Sequence, residues 1–132
     1  MDLAALQQLT LNQECGHIEF KREWYWNTNE KASEKSEIQK KWGEFIKDIL
    51  AITNANTNSF QQTRFLIFGF DENTLTFHDC GITKSSYSKL LTQIKGKIES
   101  HIKPQIKKIK FHLVPKNNSN YFVIERLCCT KI

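Results

Sequence analysis

Apolar residues recur along this chain at the spacing of a helix face in two long stretches. The first runs from residue 38 to about Asn54 and the second ends just before Pro104, because a proline disfavours the helical conformation of the residue before it. Their stripes are Ile38, Trp42, Phe45, Ile46, Ile49 and Leu50, then Tyr87, Leu90, Leu91, Ile94, Ile98 and Ile102. A shorter stripe in residues 3–9 predicts a brief N-terminal helix.

The segments between these helices carry strand patterns. In "HIEFKREW", Ile18 and Phe20 alternate with Glu19 and Lys21, which predicts a strand with one apolar and one charged face. The run "RFLIFGF" (64–70) is apolar throughout and predicts a central strand covered on both faces. A turn at "DENT" and a short partner strand in "LTFHDCG" should follow it.

Two further strands are predicted near the C-terminus, "KKIKFHLV" and "YFVIERL", paired antiparallel and joined by "PKNNSN". On the first of them Lys108, Lys110 and His112 should share one face. The polar segments 27–37 and 54–63 predict loops, because their residues favour turns.

The order α, β, α, β, β, α, β, β predicts an α+β fold, with a mixed or antiparallel sheet and two main helices packed on it. The 132 residues form a single domain, 1–132, with a globular composition of 39% hydrophobic and 25% charged residues. The N-terminus has no signal-peptide pattern and no run is long enough to span a bilayer, so we expect a cytoplasmic protein without a membrane partner. The four cysteines have no Cys-x-x-Cys spacing, which favours free thiols.

Positive charge is in excess, with a net charge of +5 and a pI near 9.0. Much of the excess follows residue 84, and charge of this kind favours an acidic partner such as nucleic acid. The lysines predicted to bind it are Lys84, Lys89, Lys95, Lys97, Lys108 and Lys110.

Candidate chemistry is concentrated on the first strand. Glu19 and Lys21 project from the same face, Glu14 lies just upstream, and Asp71 and Glu72 stand at the exit of the apolar strand. Carboxylate oxygens suit Mg²⁺ or Mn²⁺, and an ammonium group can offset charge on a phosphate during cleavage. From the residues alone two interpretations stay open, a metal-assisted phosphodiesterase and an ordinary solvated ion pair.

Three segments in this order carry a resemblance to a known family: "ECGHIEFK", "FIKDILAITNAN" and "RFLIFGFDENT". From about residue 11 to the C-terminus the chain resembles the Schlafen-type, AlbA-like nucleic-acid-binding domain. The resemblance implies a Schlafen/AlbA-like lobe that cleaves RNA, chiefly tRNA and rRNA, with a divalent metal. By position it assigns the metal to Glu14, Glu19 and Glu72, with Asp71 as the alternative third acid, and it matches Lys21 to the family's lysine.

The resemblance has two departures. The glycine pair that usually follows the first main helix is replaced by the longer "ANTNSFQQTR". Animal Schlafens also carry a zinc site, of which this chain offers His101, Cys128 and Cys129 but lacks one thiolate, so a zinc ion would need a substitute ligand from His78 or Cys80. Buried free cysteines are the alternative.

Three other functions remain open on the sequence: a non-catalytic nucleic-acid-binding module, a DNA nuclease of the E-x-K type, and a protein-interaction domain. Animal Schlafens fold two such lobes into a clamp around RNA, whereas this chain supplies one. We therefore expect a homodimer or a part of a larger multidomain protein.

Overall fold

A computed structural model describes residues 1–11, 18–26, 35–54, 61–102 and 108–129. Within these ranges the protein is α+β, as predicted, with three helices and a mixed four-stranded sheet. In chain order the elements are α1 (Leu3–Leu11), β1 (Ile18–Lys21), α2 (Lys35–Asn54), β2 (Gln61–Phe68), β3 (Phe70–Asp71), β4 (Thr76–Phe77), α3 (Lys84–His101), β5 (Ile109–Lys116) and β6 (Ser119–Cys129). None of the helices in these ranges has the length and apolar character needed to cross a membrane.

The main sheet has the strand order β1-β2-β6-β5, and β3 pairs with β4 in a separate two-stranded sheet. β1 runs parallel to β2, while β2–β6 and β5–β6 are antiparallel. A parallel neighbour requires a crossover connection, and α2 is the helix of that crossover. β1 and β5 therefore form the two edges, and an edge strand can accommodate Pro115 because one side of its backbone needs no ladder partner.

Each face of the main sheet is covered by helix. α2 and α3 pack on one face over a large aromatic core that includes Trp24, Phe45, Phe68 and Phe122. α1 covers the other face, where Leu6 is fully buried in a smaller cluster. The predicted central strand is confirmed, since Leu66, Ile67 and Phe68 are all fully buried.

The alternation predicted for β1 is also confirmed. Ile18 and Phe20 pack in the cluster under α1. Their neighbours in the strand, Glu19 and Lys21, therefore point to the face that carries α2. Because β1 is an edge strand, these charged side chains reach the rim of α2 and remain partly exposed.

Gly69 redirects the chain between β2 and the β3–β4 hairpin. Its N–H donates to the Lys21 carbonyl at 2.7 Å, and its φ of +113° lies in the region that favours glycine. A Cβ at this position would lie 2.7 Å from the Tyr121 ring and 2.8 Å from the His78 carbonyl oxygen. The close contact of Gly69 with Tyr121 and His78 fixes the backbone just before β3 and the acidic turn at Glu72.

Some predicted boundaries were wrong. β2 begins at Gln61, inside the predicted 54–63 loop, because Gln61, Gln62 and Thr63 pair with the far end of β6. α2 begins at Lys35, inside the predicted 27–37 loop, of which residues 27–34 lie outside the described part of the chain.

The connection "PKNNSN" is also shorter than predicted, since β5 and β6 pair as far as Lys116 and Ser119. A tight turn joins them, with Asn117 at a φ of 52°. Lys108 does not share the face of Lys110 and His112, because it precedes β5 and has a φ of 60°.

Candidate functional site

Four side chains meet where the edge strand β1 passes the rim of α2. The ammonium Nζ of Lys21 lies 3.9 Å from Oε1 of Glu19 and 3.4 Å from Oδ2 of Asp48. The Tyr25 hydroxyl donates a short hydrogen bond to the same Asp48 oxygen. We call Glu19, Lys21, Tyr25 and Asp48 the edge cluster.

The local fold explains why these residues converge. Glu19 and Lys21 are two positions apart on β1 and share a face. On α2, Phe45 and Ile49 are fully buried in the aromatic core, and Asp48 precedes Ile49 at the edge of this buried stripe. Trp24 is buried just after β1, which brings Tyr25 against α2.

The edge cluster is partly shielded from water. The side chain of Asp48 is 17% exposed, against 34% for Lys21 and 44% for Glu19. Burial, the hydrogen bond to Asp48 and the charges of Asp48, Glu19 and Glu44 all raise the pKa of Tyr25 well above its ordinary value of 10.0. Tyr25 therefore keeps its proton and acts as a hydrogen-bond donor to Asp48.

Acidic groups outnumber basic ones around Tyr25. Three carboxylates, Glu19, Glu44 and Asp48, act on its charge state. Within the described ranges Lys21 is the one cation paired with Glu19 and Asp48, while Glu44 pairs with Lys41 at 3.8 Å. The local excess of negative charge would attract a cation, and Lys21 would be free to meet a phosphate if a metal ion took its place between the carboxylates.

The structure leaves the other predicted acids apart from this contact. Asp71 lies in β3, where its Oδ1 accepts a hydrogen bond from the Asn73 N–H, and Glu72 is exposed in the following turn. Neither forms an ion pair within the described part of the chain. Both acids come just after Gly69, whose N–H donates a hydrogen bond to the Lys21 carbonyl. The backbone that carries them therefore begins beside the C-terminal end of β1. Glu14 lies outside the described residues.

Metal-binding geometry is limited in the parts of the molecule that the structure describes. There, no three or more His, Cys, Asp or Glu side chains are grouped so that they could hold a metal ion. Glu19 and Asp48 are a pair of carboxylates on one cation, the ammonium group of Lys21.

The candidate zinc ligands are separated by the length of α3. His101 is the last residue of this 18-residue helix, which spans roughly 27 Å at 1.5 Å per residue. His78 and Cys80 precede the other end of α3, and this separation argues against either one as the missing ligand. Burial also raises the pKa of the Cys80 thiol to about 12 in the metal-free protein. The side chains of Cys128 and Cys129 lie outside the described part of the structure.

The predicted nucleic-acid-binding lysines are distributed over several surfaces. Lys84, Lys89 and Lys95 are exposed on α3, while Lys97 is half-buried with its Nζ 5.7 Å from the centre of the Trp42 ring. Lys108 and Lys110 are exposed at the start of β5. The predicted lysines thus lie on two parts of the fold, α3 and the segment where β5 begins.

Sequence reasoning missed Asp48 and Tyr25 as members of the site. The available signal was the position of Asp48 between Phe45 and Ile49, where a charge interrupts the edge of an apolar stripe. Recognising its partner would have required the parallel pairing of β1 with β2 across α2.

No model of a known protein family matches this chain, and no curated protein has a significantly similar sequence.

Proposed function

We propose that this protein binds structured RNA, such as tRNA or rRNA, and cleaves it as a divalent-metal-dependent endoribonuclease of the Schlafen type. The observation that carries the proposal is the contact of Lys21 with both Glu19 and Asp48 at the rim of α2. Two carboxylates beside one ammonium group are the components of metal-assisted phosphodiester cleavage.

The edge cluster contains two carboxylates, the ligand type that magnesium and manganese ions prefer. Mg²⁺ is commonly held by one or two carboxylates, with water and substrate phosphate completing its coordination. Glu19 and Asp48 would hold the ion, with Glu14 and either Glu72 or Asp71 as proposed further ligands. When bound, the ion would neutralise charge on the phosphate that is cleaved.

Protein side chains would supply the remaining functions. Lys21 would contact a non-bridging phosphate oxygen and stabilise its charge. Tyr25 would keep its proton on the hydroxyl and hold the Asp48 side chain in place by its hydrogen bond. The predicted lysines would provide most of the affinity for the RNA backbone, which makes binding salt-dependent.

The assembly is a further part of the proposal. A single lobe provides one half of the clamp seen in animal Schlafens, so we propose a homodimer or a place in a larger multidomain protein. Light scattering that finds only monomer over the concentration range of the cleavage assay would contradict the homodimer.

The cleavage assay compares wild type with Glu14→Ala, Glu19→Gln and Asp48→Asn on tRNA, with and without Mn²⁺ or Mg²⁺. We expect metal-dependent cleavage by wild type and a loss of at least about 100-fold in rate for the three variants. Glu99→Gln, which changes an exposed acid on α3, is the matched control and should cleave like wild type. Equal cleavage by all variants would place the activity elsewhere, and preferential cleavage of duplex DNA would indicate the DNA nuclease instead.

A non-catalytic RNA-binding module is the second candidate. It is favoured by the direct pairing of Lys21 with both carboxylates, which an ordinary structural ion-pair network would also show. In that case the protein would bind tRNA in a salt-dependent way, no metal would produce cleavage, and Glu19→Gln would leave the affinity unchanged.

A further inference from the structure

A groove separates α2 from α3 on the side where Trp26 packs against Trp42. It consists of two adjoining cavities of about 470 and 200 Å³. Both cavities are lined by Ile38, Trp42 and Gln93, so they form one continuous groove, which we call the α2–α3 groove.

The side chains along the α2–α3 groove are basic, aromatic and uncharged polar. Lys89 lines one cavity and Lys97 the other, and among the described residues no carboxylate side chain lines either. The Nζ of Lys97 lies 5.7 Å from the centre of the Trp42 ring, and the rings of Trp26 and Trp42 are 5.0 Å apart. The groove is therefore complementary to a ligand that combines negative charge with a planar ring.

Gly96 keeps the groove open on its α3 side. Glycine is unfavourable in a helix interior, yet this one is exposed in the groove and a Cβ added to it would meet no atom within 4 Å. A larger side chain at this position would consequently extend into the groove without disturbing the packing beneath it.

We propose that the α2–α3 groove binds a single-stranded segment of RNA, with a base against Trp26 and phosphates at Lys89 and Lys97. Trp26 is half-buried, whereas Trp42 is only 8% exposed and supports the Trp26 ring from the core. Aromatic side chains combined with a basic groove are the usual means of binding single strands. That the ligand is RNA rests on the proposed function, whereas its location in the α2–α3 groove rests on the lining residues alone. Tyr25 belongs to the edge cluster and Trp26 lines the groove, so the two proposed sites are connected by consecutive residues of the chain.

Binding is measured by fluorescence anisotropy with a labelled uridine dodecamer in metal-free buffer. Gly96→Leu, which fills the groove, and Lys97→Met, which keeps the apolar stem and removes the charge, should each weaken binding by about tenfold. The matched controls are Gly43→Leu, a helical glycine outside the groove with equally open surroundings, and Lys47→Met, an exposed lysine of α2 outside the groove. Both controls should change the affinity by less than about twofold, and circular dichroism melts verify that all four variants fold.

Equal affinities for the groove variants and their controls would overturn the inference. So would competition by an abasic oligonucleotide as effective as that by the uridine strand, since this would reveal binding by charge alone. Displacement of the dodecamer by polyglutamate at similar concentration would overturn it too, because the groove would then accept any polyanion.

Failure of this inference is distinguishable from failure of the proposed function. If Gly96→Leu binds the dodecamer normally while wild type cleaves tRNA, the groove is excluded and the nuclease stands. If Gly96→Leu loses binding while wild type shows no metal-dependent cleavage, the groove is supported and catalysis is excluded.

Discussion

Tyr25 links the chemistry of the edge cluster to the core. Its ring packs against Phe45 and Phe68, and its hydroxyl donates to Asp48, which in turn pairs with Lys21. A hydrogen bond to a carboxyl group that is partly shielded from water contributes more to stability than a fully exposed one. A substitution of Tyr25 therefore tests whether its hydrogen bond to Asp48 stabilises the edge cluster.

Tyr25→Phe keeps the ring and removes the hydroxyl, leaving Asp48 without this donor. We expect the free energy of unfolding at pH 7 to fall by about 1–2 kcal/mol in urea denaturation. Tyr87→Phe is the matched control, because no hydrogen bond of the Tyr87 hydroxyl occurs within the described ranges and burial alone raises its pKa. An equal loss in the free energy of unfolding for Tyr87→Phe would show that removing any tyrosine hydroxyl has this effect, whether or not the hydroxyl donates to Asp48.

The same pair of variants gives a pH dependence with a defined sign. The pKa of Tyr25 is raised in the folded protein, so above its ordinary pKa of 10.0 the unfolded chain loses the proton while the folded protein keeps it. The stability contributed by Tyr25 is complete below pH 10 and declines above it. The advantage of wild type over Tyr25→Phe should therefore shrink as the pH rises beyond 10, and an advantage that grows would contradict a half-buried hydroxyl that keeps its proton.

At the scale of elements, Gly69 decides how β2 leads into the β3–β4 hairpin. Gly69→Ala would place a methyl group against the Tyr121 ring and the His78 carbonyl at a φ that alanine rarely adopts. We expect a loss of about 3 kcal/mol or more in the free energy of unfolding. Gly96→Ala, in open surroundings within α3, should instead gain about 0.5–1 kcal/mol. Similar losses for both substitutions would show that the close approach at Gly69 relaxes easily.

The elements that sequence predicted best are those whose pattern is long. α2 and α3 follow complete apolar stripes, so their existence and faces were predictable. The start of β2 was not, because Gln61, Gln62 and Thr63 have no apolar pattern and are strand only through pairing with β6. The tight turn at Asn117 was not predicted, because Pro115 indicated that the strand had already ended. Pro115 can belong to β5 because β5 lies at an edge of the sheet.

The sequence predicted the part of the candidate site that depends on local strand geometry. Glu19 and Lys21 share a face because strands alternate, and this follows from sequence alone. Asp48 comes from a different element, and its approach to Lys21 depends on how α2 crosses the sheet between two parallel strands. Pairs of this kind are set by topology, which no local pattern encodes.

At the scale of the whole molecule, positive charge is spread over different surfaces. Lys89 and Lys97 line the α2–α3 groove. Lys84 and Lys95 are separated by about three turns of α3 and so share another side of that helix. An RNA strand bound in the groove would therefore lie closer to Lys89 and Lys97 than to Lys84 and Lys95.

The salt dependence of RNA binding should therefore depend on which lysines are neutralised. Each phosphate contact contributes about 0.7 to the slope of log affinity against log salt for a single strand. Lys89→Gln/Lys97→Gln should reduce the slope by about 1.4, measured by anisotropy of the uridine dodecamer across a series of salt concentrations. Lys40→Gln/Lys47→Gln removes the same two charges from a net charge of +5, at exposed positions of α2 outside the groove, and should leave the slope nearly unchanged. If the two double variants lower the slope equally, net charge and not the position of the lysines governs binding, and the molecule would attract RNA without a defined docking surface.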